Sequence, residues 1–151
     1  MSLFDALHQA FSISLEENLK EITINVTITP VKTEPKHDLV NYTINAGEIA
    51  EIVKTDIGKY NAIVVTVRAT YDANATDGVR VRWLYSPDGN NYDTPDDAEA
   101  QGNYEDLSFS AGSTKQRTIL IPILCNNVKI QIVNRDQSCG VTVDVWTVLI
   151  R

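Results

Sequence analysis

From residue 21 onward, hydrophobic and polar residues alternate in short runs, each bounded by residues that favour turns. Alternation with a period of two is typical of a strand that buries one face. Nine runs show it: "ITINVTITP", "LVNYTIN", "AEIVK", "NAIVVTVRATY", "VRVRWLYS", "LSFSAG", "QRTILIPIL", "NVKIQIVN" and "VTVDVWTVLI". Because no helical run separates them, the pattern predicts an all-β protein, an antiparallel, jelly-roll-like β-sandwich of eight or nine strands.

The first twenty residues follow a helical pattern instead. Apolar side chains recur at helical spacing, at Leu3, Phe4, Leu7 and Phe11. Ser14 and Glu17 then form a capping-box pattern. We therefore expect a short N-terminal helical arm over residues 1–20 and one β-sandwich domain over residues 21–151. The arm either lies on its own sandwich or docks on a neighbouring subunit.

The last predicted strand carries apolar residues on both of its faces. One face, which the alternation assigns to the core, contains Val141, Val143 and Val145. The outward face begins with polar residues and continues with Trp146, Val148 and Ile150. Large apolar side chains that face outward together indicate a surface that is covered or functional. The alternatives are a cover formed by the arm, a contact with another subunit, and simple exposure.

Composition and charge exclude several classes of partner. A chain of 151 residues with 43% hydrophobic residues fits one folded domain. Its net charge of −7 and scattered basic residues disfavour nucleic-acid binding. No apolar run is long enough to span a membrane, so we expect no membrane partner. The opening residues lack the features of a signal peptide, so we expect none.

The residues that usually carry catalysis are few. The chain has no Gly-rich phosphate loop and no HExxH or GxSxG motif. Its two histidines, His8 and His37, lie in segments that we do not expect to form a rigid pocket. Cys125 and Cys139 flank a predicted strand that holds them too far apart for a disulfide, and their spacing gives no zinc signature. We expect two free thiols, no enzyme activity, no metal and no cofactor.

An acidic stretch at residues 83–106, "WLYSPDGNNYDTPDDAEAQGNYED", contains seven carboxylates. We interpret it first as a turn followed by a solvated, mobile loop. A calcium site is the alternative that suits its oxygen ligands, while a mobile loop lacks the burial that a glycosidase acid requires. A glycan site is a further possibility, with tyrosines stacking on the sugar and acids holding its hydroxyl groups. Its candidate residues are Asp88, Tyr92, Asp93 and Tyr104.

The hairpin "RWLYSPDGNNYDT" resembles the YSxDGxxW hairpin of discoidin-like, galactose-binding-type β-sandwiches, with Tyr92 where that hairpin has Trp. The order of the later segments, "SAGSTKQRTILIPI", "NVKIQIVN" and "GVTVDVWTVLI", is also similar to β-sandwich modules of phage and virus structural proteins. The resemblance covers residues 63–150. It implies a β-sandwich fold whose function is either glycan binding or particle assembly.

Fold class, missing catalytic groups and missing leader features together favour a non-enzymatic structural protein of a virion or similar particle. Such a subunit of a head, capsid or tail is made in the host cytoplasm and assembles with copies of itself or with other particle subunits. The first alternative is an extracellular carbohydrate-binding module of discoidin-like type. The second is a subunit of a cell-surface filament.

Overall fold

The computed structural model describes residue 2 and residues 31–151. Within residues 31–151 it contains eight strands and one short helix, in agreement with the predicted all-β sandwich. The elements are β1 (Lys36–Ile44), β2 (Ile49–Lys54), β3 (Ala62–Tyr71), β4 (Val79–Ser86), α1 (Pro95–Ala100), β5 (Tyr104–Asp106), β6 (Thr114–Pro122), β7 (Asn127–Asn134) and β8 (Val141–Ile150). The predicted arm, with Leu3, Phe4, Leu7 and Phe11, and the first predicted strand lie outside the described residues.

The strands form two antiparallel sheets of four. Sheet A has the order β1-β8-β3-β6, and sheet B has the order β2-β7-β4-β5. Apart from β4 and β5, neighbours in each sheet are not consecutive along the chain, which is the arrangement of a jelly roll. The predicted jelly-roll-like sandwich is therefore confirmed. No helix in the described part of the chain is both long and apolar enough to cross a membrane.

The core follows from the alternation of each strand. On β3, the fully buried positions are Ile63, Val65, Val67 and Ala69. On β8, the buried apolar positions are Val141, Val143 and Val145, as predicted. Val81 on β4 and Ile130 and Ile132 on β7 meet them from sheet B. β3 thus buries one face between the sheets and leaves the other face outside, whereas most residues of β4 and β7 are buried on both faces.

Two predictions about the acidic stretch and its surroundings are wrong. The segment "LSFSAG" is not a strand, because Ser113 closes a turn on the carbonyl of Ser110 and Gly112 takes a left-handed φ of 68°. The second half of the stretch is not a continuous loop, although Pro95, Asp96, Asp97 and Ala100 are exposed to solvent as expected. It contains α1, in which Thr94 caps the first turn by accepting a hydrogen bond from the Asp97 N–H.

Ion pairs hold α1 against the outer face of sheet B. Glu99 accepts hydrogen bonds from Arg80 at 2.7 Å and from Arg82 at 2.6 Å. Arg80 also pairs with Asp106 on β5 at 2.7 Å. The two arginines therefore face outward, as predicted, but α1 and β5 cover them. Cys125 and Cys139 are both free thiols.

Candidate functional site

The outer face of sheet A, which points away from sheet B, brings together side chains from four strands. The register places one row across the sheet, in the order His37, Trp146, Thr66 and Thr118. A second row lies beside it, in the order Asp144, Arg68 and Gln116. This face therefore combines an aromatic ring, two opposite charges, an amide and hydroxyl groups.

Trp146 is the central side chain of this face, and its ring has a fixed orientation. The imidazole of His37 stacks on the indole with ring centroids 4.3 Å apart and an interplanar angle of 15°. The guanidinium of Arg68 lies 5.5 Å from the indole centroid, within cation–π range. Trp146 is half-buried, so part of the ring is still open to a ligand. Two neighbours thus hold an aromatic platform in place.

Asp144 organises the polar row. Its Oδ1 lies 3.1 Å from Nε2 of His37 and accepts the backbone N–H of Asn41 at 2.9 Å, while its Oδ2 accepts Nη2 of Arg68 at 2.7 Å. The Asn41 N–H, followed by Arg68, holds the pKa of Asp144 below its usual value. Asp144 is therefore a carboxylate that orients both neighbours of Trp146.

The backbone of β1 is irregular at the point where it supports this arrangement. The register with β8 shifts between His37 and Leu39 and again between Leu39 and Tyr42. Asn41 has a positive φ of 46°, a conformation that asparagine tolerates better than most residues. These bulges turn the Asn41 N–H toward Asp144 and place His37 over the indole.

A groove of about 340 Å³ opens on the same face. Its lining consists of Pro35, Val64, Thr66, Gln116, Trp146 and Val148. It therefore crosses β8, β3 and β6, whereas His37 supports the indole from β1 on the other side of β8. A concave, largely apolar surface with a few polar groups is the usual form of a small-molecule site. This one suits a ligand with one apolar face and several hydroxyl groups.

Of the four predicted glycan-binding residues, Asp88 is engaged within its own turn. Its carboxylate accepts the hydroxyl of Ser86 at 3.0 Å and the backbone N–H groups of Asn90 and Asn91 at 2.9 and 2.8 Å. The Asn91 N–H, followed by that of Asn90, holds the pKa of Asp88 well below its usual value. Asp88 therefore closes the turn that follows β4.

The other three predicted residues also have partners within the chain. Asp93 accepts the N–H of Tyr85 at 3.1 Å. Lys129 lies 4.7 Å from the ring centroid of Tyr92, and Arg80 lies 4.1 Å from that of Tyr104. Tyr104 pairs with the middle of β4, about 13 Å along the strand from the Asp88 turn. The structure does not gather the four around one point, and their ligand role stays a prediction.

The predicted interface residues of β8 are placed as expected. Trp146, Val148 and Ile150 face outward and are half-buried. Their contact with another subunit stays a prediction. His37 lies in β1 and stacks on Trp146, although it does not line the groove. Arg68 and Gln116 were not predicted as site residues, although the alternation of β3 and β6 places both outward.

The described residues contain no group of three or more His, Cys, Asp or Glu side chains that could hold a metal ion. The polar row has a carboxylate beside a histidine, but the hydrogen bonds of that carboxylate go to Asn41, Arg68 and His37. The arrangement supports binding through shape, stacking and hydrogen bonds.

No protein-family model matches this chain, and no curated protein matches it. The solved structures that are similar to it include the following three. Dimeric latent PorU from Porphyromonas gingivalis has a TM-score of 0.48 and 14% identity, over 85% of this chain and 13% of PorU. The carbohydrate-binding module CBM36 in complex with calcium and xylotriose has a TM-score of 0.44 and 12% identity, over 79% of this chain and 98% of that module. The CBM36-1 domain of a multidomain xylanase from the hindgut metagenome of Trinervitermes trinervoides has a TM-score of 0.44 and 12% identity, over 78% of this chain and 96% of that domain.

Proposed function

We propose that this chain is a non-catalytic carbohydrate-binding module that holds a sugar in the groove beside Trp146. The observation that carries the proposal is the fixed, half-buried indole at the groove, stacked on His37 and flanked by Arg68. A pyranose ring has an apolar face of C–H groups that packs on an aromatic ring. An indole that is already oriented loses little conformational entropy when the sugar binds.

The other lining residues match the rest of a sugar. Val64 and Val148 contact apolar parts of the ligand, and the amide of Gln116 donates to and accepts from hydroxyl groups. Thr66 adds a hydroxyl group, which is hydrogen-bonded to the hydroxyl of Thr118 at 2.9 Å. The polar groups are few, and they lie on β3 and β6 on one side of Trp146.

The charges of the face favour an uncharged sugar. Arg68 and Asp144 neutralise each other through a hydrogen bond of 2.7 Å. The chain as a whole carries a net charge of −7, which repels a polyanionic glycan. We therefore expect neutral oligosaccharides to bind better than sulfated or uronate-rich ones.

The test is binding of the full chain to a glycan array, followed by titration calorimetry with the oligosaccharides that it retains. Xylotriose, with and without calcium, belongs in the panel. Replacing Trp146 by Ala removes about 1.5–3 kcal/mol of apolar contact, so the affinity should fall about ten- to hundredfold. Trp146→Phe should keep part of it. Tyr42→Ala is the matched control, because Tyr42 is an exposed aromatic outside the groove.

Melting curves must show that the Trp146 variants are folded before their affinities are compared. Equal affinity of a folded Trp146→Ala variant and the native chain would refute the site. If the native chain retains no oligosaccharide, the carbohydrate-binding function itself is wrong.

We propose as a second candidate that the chain is a structural subunit of a virion or other particle. The observation that favours it is a set of four exposed apolar side chains on two edge strands, Val40 and Tyr42 on β1 and Ile49 and Val53 on β2. These are edge strands of the two sheets, and an exposed apolar edge favours association with another chain. Light scattering after size exclusion tests it. A defined oligomer that Val40→Asp dissociates supports assembly, whereas a monomer for the native chain refutes it.

A further inference from the structure

Four strands form the edges of the two sheets, and β6 differs from the other three. β1 has two register shifts and a left-handed Asn41, β2 has six residues, and β5 has three. Bulges and short strands are common ways in which an edge is kept from pairing with another chain. β6 instead has nine residues in one unbroken register with β3. It is therefore the long, regular edge of the described sandwich.

The free side of β6 carries backbone groups that no other described strand pairs. At the two ends of β6, the Ser113 carbonyl and the Ile123 N–H both bond toward β3, at 3.0 and 2.9 Å. In an antiparallel strand, residues whose backbone groups point to one side alternate with residues whose groups point to the other. The even-numbered residues of β6 therefore point away from β3, where no strand of residues 31–151 lies beside them. Those with both an N–H and a carbonyl on this free side are Thr114, Gln116, Thr118 and Leu120.

We propose that β6 pairs with the β6 of a second copy of this chain, antiparallel and about a two-fold axis at Thr118. The two Thr118 residues then lie opposite each other, and Gln116 of each copy lies opposite Leu120 of the other. This register pairs the free N–H and carbonyl groups of all three residues. It also covers part of Leu120, which is 64% exposed in one chain. Sheet A thus continues from one copy into the other.

The charges of β6 select this register over those on one side of it. With the axis at Thr118, the basic residues Lys115 and Arg117 lie opposite isoleucines of the second copy. An axis at Arg117 would place the two Arg117 side chains opposite each other, and an axis at Gln116 would place Lys115 opposite Arg117. Like charges directly opposite each other destabilise a pair of strands. The axis at Thr118 avoids both arrangements.

Pro122 excludes the registers on the other side. Moving the axis beyond Thr118 would bring Pro122 opposite Gln116 or Thr118, inside the ladder. Pro122 has no N–H to donate there, and its carbonyl already accepts the hydroxyl of Tyr85 at 2.6 Å. With the axis at Thr118, Pro122 lies at the end of the ladder, where the missing hydrogen bond costs least.

A second copy fits this edge better than a disordered peptide does. Its β6 is already extended and held in a sheet, so pairing orders few further residues. A disordered peptide loses the conformational entropy of every residue that it adds to the edge. A strand that pairs with itself about a two-fold axis also gives a closed dimer rather than an open chain of subunits.

The pairing places two grooves on one surface. The row of Trp146, Thr66 and Thr118 continues into the same row of the second copy in reverse order. The two Trp146 side chains then lie five strand spacings, or about 24 Å, apart on one outer face. One polysaccharide chain can contact both grooves, which strengthens binding through effective concentration. This consequence rests on the proposed function, whereas the dimer itself forms without a sugar.

Light scattering after size exclusion, over a range of protein concentrations and without sugar, tests the dimer. One pair of strands is a small interface, so we expect a dissociation constant on the order of micromolar. Thr118→Lys and Thr118→Glu each place like charges opposite each other at the axis. Each should raise the dissociation constant at least about tenfold. Thr118 is exposed, so both variants should fold, and melting curves check this.

A mixture of the two charge variants tests the register itself. Lys then lies opposite Glu, so the mixture should form a dimer although each variant alone does not. This rescue requires that position 118 of one copy meets position 118 of the other. Leu124→Lys is the matched control, because Leu124 is 71% exposed and lies outside β6. It should keep the native dissociation constant.

Hydrogen exchange locates the contact on the native chain. The N–H groups of Gln116, Thr118 and Leu120 should exchange more slowly as the protein concentration rises, while those of β2 should not change. A native chain that stays monomeric at about 0.5 mM, well above the expected dissociation constant, would overturn the proposal. So would a dimer that survives Thr118→Lys, or a mixture of the charge variants that stays monomeric. Slow exchange of these three N–H groups in a monomer would show an edge covered within one chain, which also overturns it.

Discussion

Asp38 ties the two sheets together at the edge where β1 and β2 lie side by side. Both of its carboxylate oxygens accept hydrogen bonds from Lys54 on β2, at 2.9 and 2.8 Å. Thr147 on β8 donates its hydroxyl to Oδ2, and Lys36 lies 3.1 Å from Oδ1. The side chain of Asp38 is 5% exposed and that of Lys54 11%. The pair is therefore largely removed from water.

Removing one partner of such a pair leaves the other charge desolvated, which costs about 3–5 kcal/mol. We expect about 3 kcal/mol for Asp38→Ala, because the partial exposure of Lys54 lets some water reach its ammonium group. For a chain of this length, that corresponds to a fall of about 6–12 °C in melting temperature. Asp38→Ala/Lys54→Met should regain most of the loss, since an apolar pair in place of an ion pair is nearly neutral.

Thermal and urea unfolding of Asp38→Ala, Lys54→Met and the double variant give the coupling free energy between Asp38 and Lys54. Glu34→Ala, at an exposed carboxylate in the segment before β1, is the control and should stay within about 0.5 kcal/mol of the native chain. A coupling free energy below about 0.5 kcal/mol would refute the account of a desolvated pair. So would a double variant that is less stable than Asp38→Ala.

Three further outcomes are expected. Backbone N–H groups of Thr76, Ser138 and Cys139 hold the pKa of Asp136 well below its usual value. Asp136 therefore contributes its full stabilisation above about pH 4, roughly its pKa in the unfolded chain, and this stabilisation is lost as the pH falls through the folded pKa. Melting temperatures from pH 7 to pH 2 check this, and a rise in melting temperature on acidification would contradict it. Arg82→Ala should speed amide exchange in α1 by at least about tenfold, because Arg82 holds Glu99, and unchanged exchange would mean that the pair does not anchor α1. Calcium should leave the melting temperature within about one degree, and a larger rise that Asp88→Ala abolishes would show a site in the turn.

The strands of the sandwich could be predicted from the sequence because a period of two marks the buried face of each one. The same method missed α1, in which Ala98 is the one buried residue and no apolar period exists. The sequence signal for α1 is instead a set of capping residues. Thr94, an N-cap residue, precedes Pro95 at the first helical position and two acidic residues in the first turn. Cap chemistry is the signal that predicts a helix of six residues.

The candidate site was less predictable, because it depends on which strands are neighbours. Alternation along β8 placed Trp146 outward, but it could not show that His37 stacks on it. The two residues lie more than a hundred positions apart, and the bulges of β1 break the alternation that would have oriented His37.

Arg68 and Gln116 reach the same face because β3 and β6 follow β8 in the order of sheet A. That order differs from the order of the strands along the chain. Four strands thus contribute side chains to this face, while the opposite face of the same strands forms the core. A substitution such as Trp146→Ala therefore changes the groove without changing the residues buried between the sheets, which is why binding and stability can be measured separately at this site.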